Sequence, residues 1–191
     1  MSIYKLEPGQ RGTSNGPGDA RGLKIGHINA QGLKSATKSG KEKIQRLANM
    51  IKHHDFDVFG ITETHYSHKT EAPTIEGYRR PMLECRIQHG GGGVAIYVKK
   101  GVNYILMDRQ TYSYNEAFAD CMGPEDDHPV QFIHIKVTGG TWGCIPHIHV
   151  VFIYVPPNAV KPLTALVHFL KHKMCGHSSE VVLGDVNEYA F

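Results

Sequence analysis

Asp57-Val58-Phe59-Gly60-Ile61-Thr62-Glu63-Thr64 is a short apolar run with an acid placed just past its end. Such a run, bounded by polar residues, reads as a strand buried on both faces, and it delivers Glu63 to the edge of its sheet. Immediately upstream, Ile44, Leu47, Ala48 and Ile51 recur at i, i+3, i+4 and i+7, the buried stripe of a helix that ends near His53 and His54. Before the helix lies a polar, basic loop over residues 34–43. Before that, an apolar strand over residues 23–28 leads into Asn29.

Downstream, the glycines at 90–93 read as a turn entering the β-rich strand 94–98, and residues 102–107 form another strand. Ile133, Ile135 and Val137 alternate with His134 and Lys136, the pattern of a sheet with one wet face. Residues 147–154 become apolar on both faces, which suggests a central strand, and Pro156 and Pro157 stop it. Pro162 then opens a helix lined by Leu163, Leu166, Val167, Leu170 and Met174, followed by a strand over residues 181–183. Strands alternate with two helices but also come consecutively. The expected α/β architecture is therefore layered sheets covered by helices, not a pure parallel barrel, and there is no internal repeat.

Composition bounds the function. A chain of 191 residues with 40% hydrophobic content fits one globular domain. Residues 1–22, rich in Gly, Pro, Ser, Asn and Arg, read as a flexible leader, so structure is expected to begin near Leu23 and the domain to occupy residues 23–191. A formal charge of +3 implies no polyanion-binding surface unless the basic residues cluster. Cys85, Cys121, Cys144 and Cys175 form no Cys-x-x-Cys pair, which argues against a zinc knuckle or a dense disulfide framework and for reduced thiols. No signal core and no run of apolar residues long enough to span a membrane is visible, so an intracellular, soluble protein is expected.

Four stretches put lone polar residues at strand ends: Asn29 and Gln31 after the first, Glu63 after the second, Tyr154 before Pro156, and Asp185 with Asn187 in Gly184-Asp185-Val186-Asn187. Phosphodiester hydrolysis needs positive charge at the phosphate and a route for protons, and Mg²⁺, an oxygen-seeking ion that keeps open coordination positions, suits it. Glu63 is the first-choice ligand; taken alone it is better read as a solvated loop acid, and the company of the other strand-end residues changes that. Asp185 can accept a hydrogen bond from an attacking water and Asn187 can hold that water or the phosphate, or the pair can be a local turn. Asn29 has the same two readings. Tyr154 can offer its hydroxyl to a phosphate oxygen, or simply end a strand as an amphipathic residue. His147 and His149 share a strand face and His168 and His172 sit at i, i+4. Both spacings suit zinc, but solvent-facing histidines are the favoured reading.

Five segments in order, Lys24-Ile25-Gly26-His27-Ile28-Asn29-Ala30-Gln31-Gly32-Leu33, Asp57 to Thr64, Gly91-Gly92-Gly93-Val94-Ala95-Ile96-Tyr97-Val98, Tyr154-Val155-Pro156-Pro157 and Gly184-Asp185-Val186-Asn187, carry a resemblance. The chain resembles the endonuclease/exonuclease/phosphatase superfamily, and within it the endonuclease of LINE-type (non-LTR) retrotransposons. The resemblance implies a DNase I-like, four-layer sandwich of two packed mixed β-sheets flanked by helices. It implies Mg²⁺, with Mn²⁺ as substitute, held by Glu63. Asn29 and Asn187 would orient phosphate and water, Asp185 would orient or activate the nucleophile, and Tyr154 would contact the phosphate. Gln31 stands where the repair branch has a metal-holding Asp, which favours the retrotransposon branch. Arg79, Arg80 and Arg86, with Lys34, Lys38, Lys41 and Lys43, are candidate DNA-phosphate contacts near the rim.

The implied partners are DNA and a reverse transcriptase in a parent polyprotein, with nuclear action and no membrane. The family's carboxyl-terminal Ser-Asp-His motif has no counterpart before Phe191. The sandwich is thus expected to lack its last strands, and the chain to nick DNA poorly. Two alternatives remain open: an inactive transposon-derived DNA-binding relic, and a phosphatase or phospholipid phosphodiesterase of the same fold.

Overall fold

Residues 58–61 form the centre of a mixed sheet. In a computed structural model, which describes residues 2–6, 22–33, 38–66, 72–85, 92–112, 130–142, 145–156, 170–171 and 179–187, the elements run in chain order as follows. Strand β1 is Ser2–Leu6, β2 Leu23–Asn29, helix α1 Lys38–His54, β3 Val58–Thr62, β4 Met82–Glu84 and β5 Val94–Val98. Then β6 is Asn103–Tyr112, β7 Val130–Trp142, β8 Ile145–Val155 and β9 Glu180–Val186. The first sheet has the order β1-β2-β3-β5-β4 and the second β6-β7-β8-β9.

Parallel neighbours need a crossover, and α1 supplies it between β2 and β3. Its stripe of Ile44, Leu47, Ala48 and Ile51 packs with Phe59 and Ile61 on the outer face of the first sheet. The opposite faces of the strands make the second core. There Ile25, Val58, Val94 and Ile96 of one sheet meet Ile133, Ile135, Val150, Phe152 and Leu183 of the other. Each such fully buried aliphatic or aromatic side chain contributes roughly 1.5–3 kcal/mol, so this interface between the sheets sets the relative position of β2, β3, β8 and β9.

Three expectations change. Structure does not begin at Leu23: Ser2–Leu6 pairs antiparallel with β2, Ser2 opposite His27 and Leu6 opposite Leu23. Five strand-forming residues before a Gly/Pro-rich stretch are too few to show a period, but an open strand edge can still hydrogen-bond them. The basic loop is shorter than its sequence suggests, because Lys38 to Lys43 already belong to α1. His134 is not on a wet face; it is 5% exposed. Of the helix expected after Pro162, only Leu170 and Lys171 fall among the described residues, and both are helical.

Candidate active site

Strand alternation places His27 and Asn29 on the inner face of β2, and register puts Asn29 opposite Thr62 on β3. In the second sheet, Gln131, Tyr154 and Asp185 stand side by side on β7, β8 and β9. Face-to-face packing brings these two rows together. Asn29 Nδ2 donates to Asp185 Oδ2 at 2.5 Å, joining residues 156 positions apart. Asn187 Nδ2 donates to the same oxygen at 3.1 Å and to the Val155 carbonyl at 3.0 Å. The Gln31 backbone N–H donates to Asn29 Oδ1 at 2.9 Å, which fixes the amide so that its NH₂ faces the acid. At Gly184 the chain comes so close to β8 that a Cβ would lie 1.9 Å from the Ile153 carbonyl oxygen, so the residue before Asp185 has no room for a side chain.

Asp185 is electrostatically unusual. Burial, and then the negative charge of Glu63, push its carboxyl above the ordinary range, with the Asn29 and Asn187 hydrogen bonds opposing. Glu63 is half-buried and has left-handed backbone, φ +52°. Tyr154 is 3% exposed and belongs to the core between the sheets, directly beside Asp185 in register. Gln31 is exposed at the rim, with φ +48°.

The basic candidates separate. Arg79 and Arg80, expected near the rim, lie at the other end of the sheet. The Arg79 N–H donates to the carbonyl of Val98, which pairs with Val58 at the start of β3, whereas Glu63 follows its end. Four residues of strand, about 13 Å, separate the two ends. The Arg79 guanidinium instead covers the Tyr104 ring, 5.7 Å from its centroid. Lys34 and Arg86 lie outside the described residues, and Lys38 is the first residue of α1. Lys43 does reach the rim: its Nζ donates to the Gln31 carbonyl at 3.3 Å. With Arg46 it borders a cavity of about 390 Å³ between α1 and the end of β2, floored by Ile28, Leu47 and Met50.

Sequence reading missed a supporting layer. His27 lies beneath Asn29, its Nε2 3.1 Å from Thr62 Oγ1, and burial drives its pKa down to about 4, so it is neutral at physiological pH. Period-two alternation with Asn29 was the available signal. Gln131, fully buried, is the other omission. His147 and His149 do share a face, with ring centroids 5.4 Å apart, but His149 is 2% exposed and bonded to His134 at 2.8 Å. The solvent-facing reading fails for His149.

The sequence matches the Endonuclease/Exonuclease/phosphatase family over residues 26–188. The chain belongs to that family. No curated protein matches it. Among solved structures it is similar to an endonuclease/exonuclease/phosphatase family protein from Bacteroides thetaiotaomicron, at 17% identity and TM-score 0.57, covering 86% of this chain and 62% of that one. It is also similar to the endonuclease domain of TRAS1, a telomere-specific non-LTR retrotransposon, at 16% identity and TM-score 0.50, covering 86% and 58%. A Bacteroides thetaiotaomicron mannosyl-6-phosphatase gives 18% identity and TM-score 0.54, covering 86% and 65%. The chain therefore spans less than two-thirds of the length of these structures, and the likeness establishes the DNase I-like sandwich.

Family members are hydrolases of phosphodiester or phosphate groups that generally use divalent metals. The donor set here fits such an ion. Two carboxylates, Glu63 and Asp185, lie within each other's field, and carboxylate oxygens are the hard donors that Mg²⁺ prefers. No group of three or more His, Cys, Asp or Glu placed to hold a metal ion occurs among the described residues.

Proposed function

We propose that this domain is a Mg²⁺-dependent endonuclease that nicks DNA, of the kind found in LINE-type retrotransposons, acting in the nucleus beside a reverse transcriptase of the same polyprotein. The observation that carries the reading is the hydrogen bond from Asn29 to Asp185 across the two sheets, with the charge of Glu63 beside it. Bound at Glu63, Mg²⁺ would supply the positive charge that an anionic phosphate needs against an incoming nucleophile. Asp185 takes the proton side of the reaction. Its Oδ2 is occupied by the Asn29 and Asn187 amides, so Oδ1 is the atom that orients a water and accepts its proton. Burial, the larger cause of its raised range, makes the Asp185 carboxylate a stronger base than a free Asp, and the proton it takes from water passes to the leaving alkoxide. Tyr154 keeps its ring in the core and offers only its hydroxyl end to the phosphate.

The DNA assignment draws on α1, where Lys43 and Arg46 border the cavity beside the rim and Lys41 is exposed on the same helix, with Glu42 as its one acid. A local cationic face of this kind attracts a polyanion although the net charge is small. A phosphomonoesterase is the second reading, favoured by the comparable likeness to the mannosyl-6-phosphatase. Conversion of supercoiled plasmid to open circle in Mg²⁺, run beside phosphate release from mannose 6-phosphate, separates them. Nicking abolished by Asp185→Ala supports the endonuclease. Phosphate release without nicking transfers the site to the second reading, and DNA binding without either activity makes the domain a binding relic.

A further inference from the structure

We propose that Gln131 is a positioning residue for Glu63, acting through the turn at Gly92 and Gly93; the inference rests on the reading of Glu63 as the metal ligand. Glu63 and His65 both adopt left-handed backbone, φ +52° and +55°. Such conformations are costly for a non-glycine residue and persist where neighbours over-determine them. Neighbours hold this segment from two sides. On one side the N–H groups of Gly32 and Leu33 donate to the carbonyls of Glu63 and Thr64, at 2.7 and 2.9 Å. On the other, the N–H groups of Thr64 and His65 donate to the carbonyls of Gly93 and Gly92, at 3.3 and 2.8 Å.

The glycine side is anchored from the opposite sheet. Gln131 of β7 is fully buried, and its Oε1 accepts the N–H of Gly93 at 2.8 Å. Gly93 itself admits no side chain: φ is +97°, and a Cβ would sit 2.4 Å from Thr64 Oγ1. Gln131 is a costly residue for this position. Its Nε2 is buried without a hydrogen-bond partner, an uncompensated desolvation penalty, while Ile133 and Ile135 on the same face fill the core without one. The useful half of the side chain is thus its acceptor oxygen. It ties the first sheet's turn to the second sheet, which also carries Asp185, so Glu63 keeps a fixed bearing on that acid.

Mg²⁺ binding to the 191-residue chain, measured calorimetrically with the metal alone, tests this. Gln131→Met, which removes the acceptor but keeps the length, should weaken Mg²⁺ binding roughly tenfold, the scale typical of lost outer-sphere support. The Mg²⁺ requirement for nicking should rise by the same factor while kcat at saturating Mg²⁺ stays near wild type. Gln131→Glu, kept protonated by burial, still presents a carbonyl to Gly93 and should bind Mg²⁺ nearly as the parent does. A folded Gln131→Met chain whose Gly93 amide exchanges faster but whose Mg²⁺ affinity is unchanged overturns the proposal. If the Met variant does not fold, the parent chain decides. Mg²⁺ should slow exchange of the Gly93 and His65 amides, and no slowing overturns the coupling. Glu63→Gln serves as the reference. Weak binding in Glu63→Gln with normal binding in Gln131→Met removes only the positioning role, whereas normal binding in Glu63→Gln removes the metal reading and this inference with it.

Discussion

At the start of β3 charges of opposite sign are paired; at its end charges of like sign face each other. Lys99 Nζ reaches Asp55 at 2.5 Å, Lys52 reaches Glu76 at 2.6 Å, and the buried Asp57 carboxylate accepts the backbone N–H of Lys24 at 2.9 Å. At the other end, Asp185 and Glu63 carry the same sign, and the groups bonded to Asp185 are neutral amides. The consequence appears in two acids of one molecule. Lys52 holds the Glu76 carboxyl below its usual range, while burial and Glu63 hold Asp185 above it. An arrangement that disfavours its own ionised state does not serve stability, which is the physical ground for reading the rim as a site and the far end as surface.

The largest effect expected from this contrast is on activity. Asp185→Ala should lower the rate of plasmid nicking in Mg²⁺ by about 10³-fold, within the range for a lost proton-transfer group. Lys99→Met, at the opposite end, should leave that rate unchanged. Equal losses in both variants, with both folded, would break the distinction between the two ends.

Next comes the layer beneath the rim. His27 has its pKa lowered from 6.5 to about 4 by burial, so the unfolded chain binds a proton over that window and the folded chain does not. Stability contributed by the neutral imidazole is complete above pH 6.5 and declines as pH falls toward 4, by up to about 3 kcal/mol. Urea unfolding at a series of pH values measures it. His27→Asn, which can still bond Thr62, should flatten the curve across this window; an unaltered slope would show that the proton is taken up elsewhere.

Asp185→Asn should stabilise the fold at neutral pH while abolishing nicking, the trade expected when a site is held in an unfavourable charge state. The sign follows from the raised carboxyl. Below the unfolded-state value Asp185 is protonated in both states, and the penalty builds as pH rises from that value through the folded one, so the advantage of Asn should vanish in acid. Saturating Mg²⁺, by neutralising the same repulsion, should raise the melting temperature of the parent more than that of the variant.

What the sequence disclosed follows from how local each signal is. The helix stripe at Ile44 to Ile51 and the buried run at Val58 to Ile61 are short-range patterns, and both fall inside α1 and β3. Asn29, Asp185 and Asn187 were legible as strand-end polar residues, but that they share one carboxylate oxygen depends on the packing of two sheets, which no local pattern encodes. Arg79 and Arg80 were misplaced because their position is set by the bridge between Tyr78 and Lys99 and by the antiparallel return of β4 along β5. Alternation sorted His134 and Ile133 onto opposite faces, yet it cannot tell whether a face is covered. Gln131 reads in sequence as one polar residue entering a strand; its meaning lies in Gly93, on another sheet.

The smallest effect belongs to the far end. Lys99→Met keeps most of the side chain's aliphatic stem and removes only the ammonium that pairs with Asp55, whose side chain is 54% exposed. An ion pair so open to water gains little Coulomb energy after solvation and side-chain ordering, so thermal unfolding should show a loss of less than about 1 kcal/mol. Salt separates this case from the rim. Because mobile ions screen exposed pairs, the deficit of Lys99→Met should shrink toward zero between low and molar NaCl, while the gain of Asp185→Asn, set partly by burial, should persist. A Lys99→Met deficit that is large and indifferent to salt would mean that the pair is structurally coupled to β3 and β5, and the far end would then have to be counted as part of the fold's support.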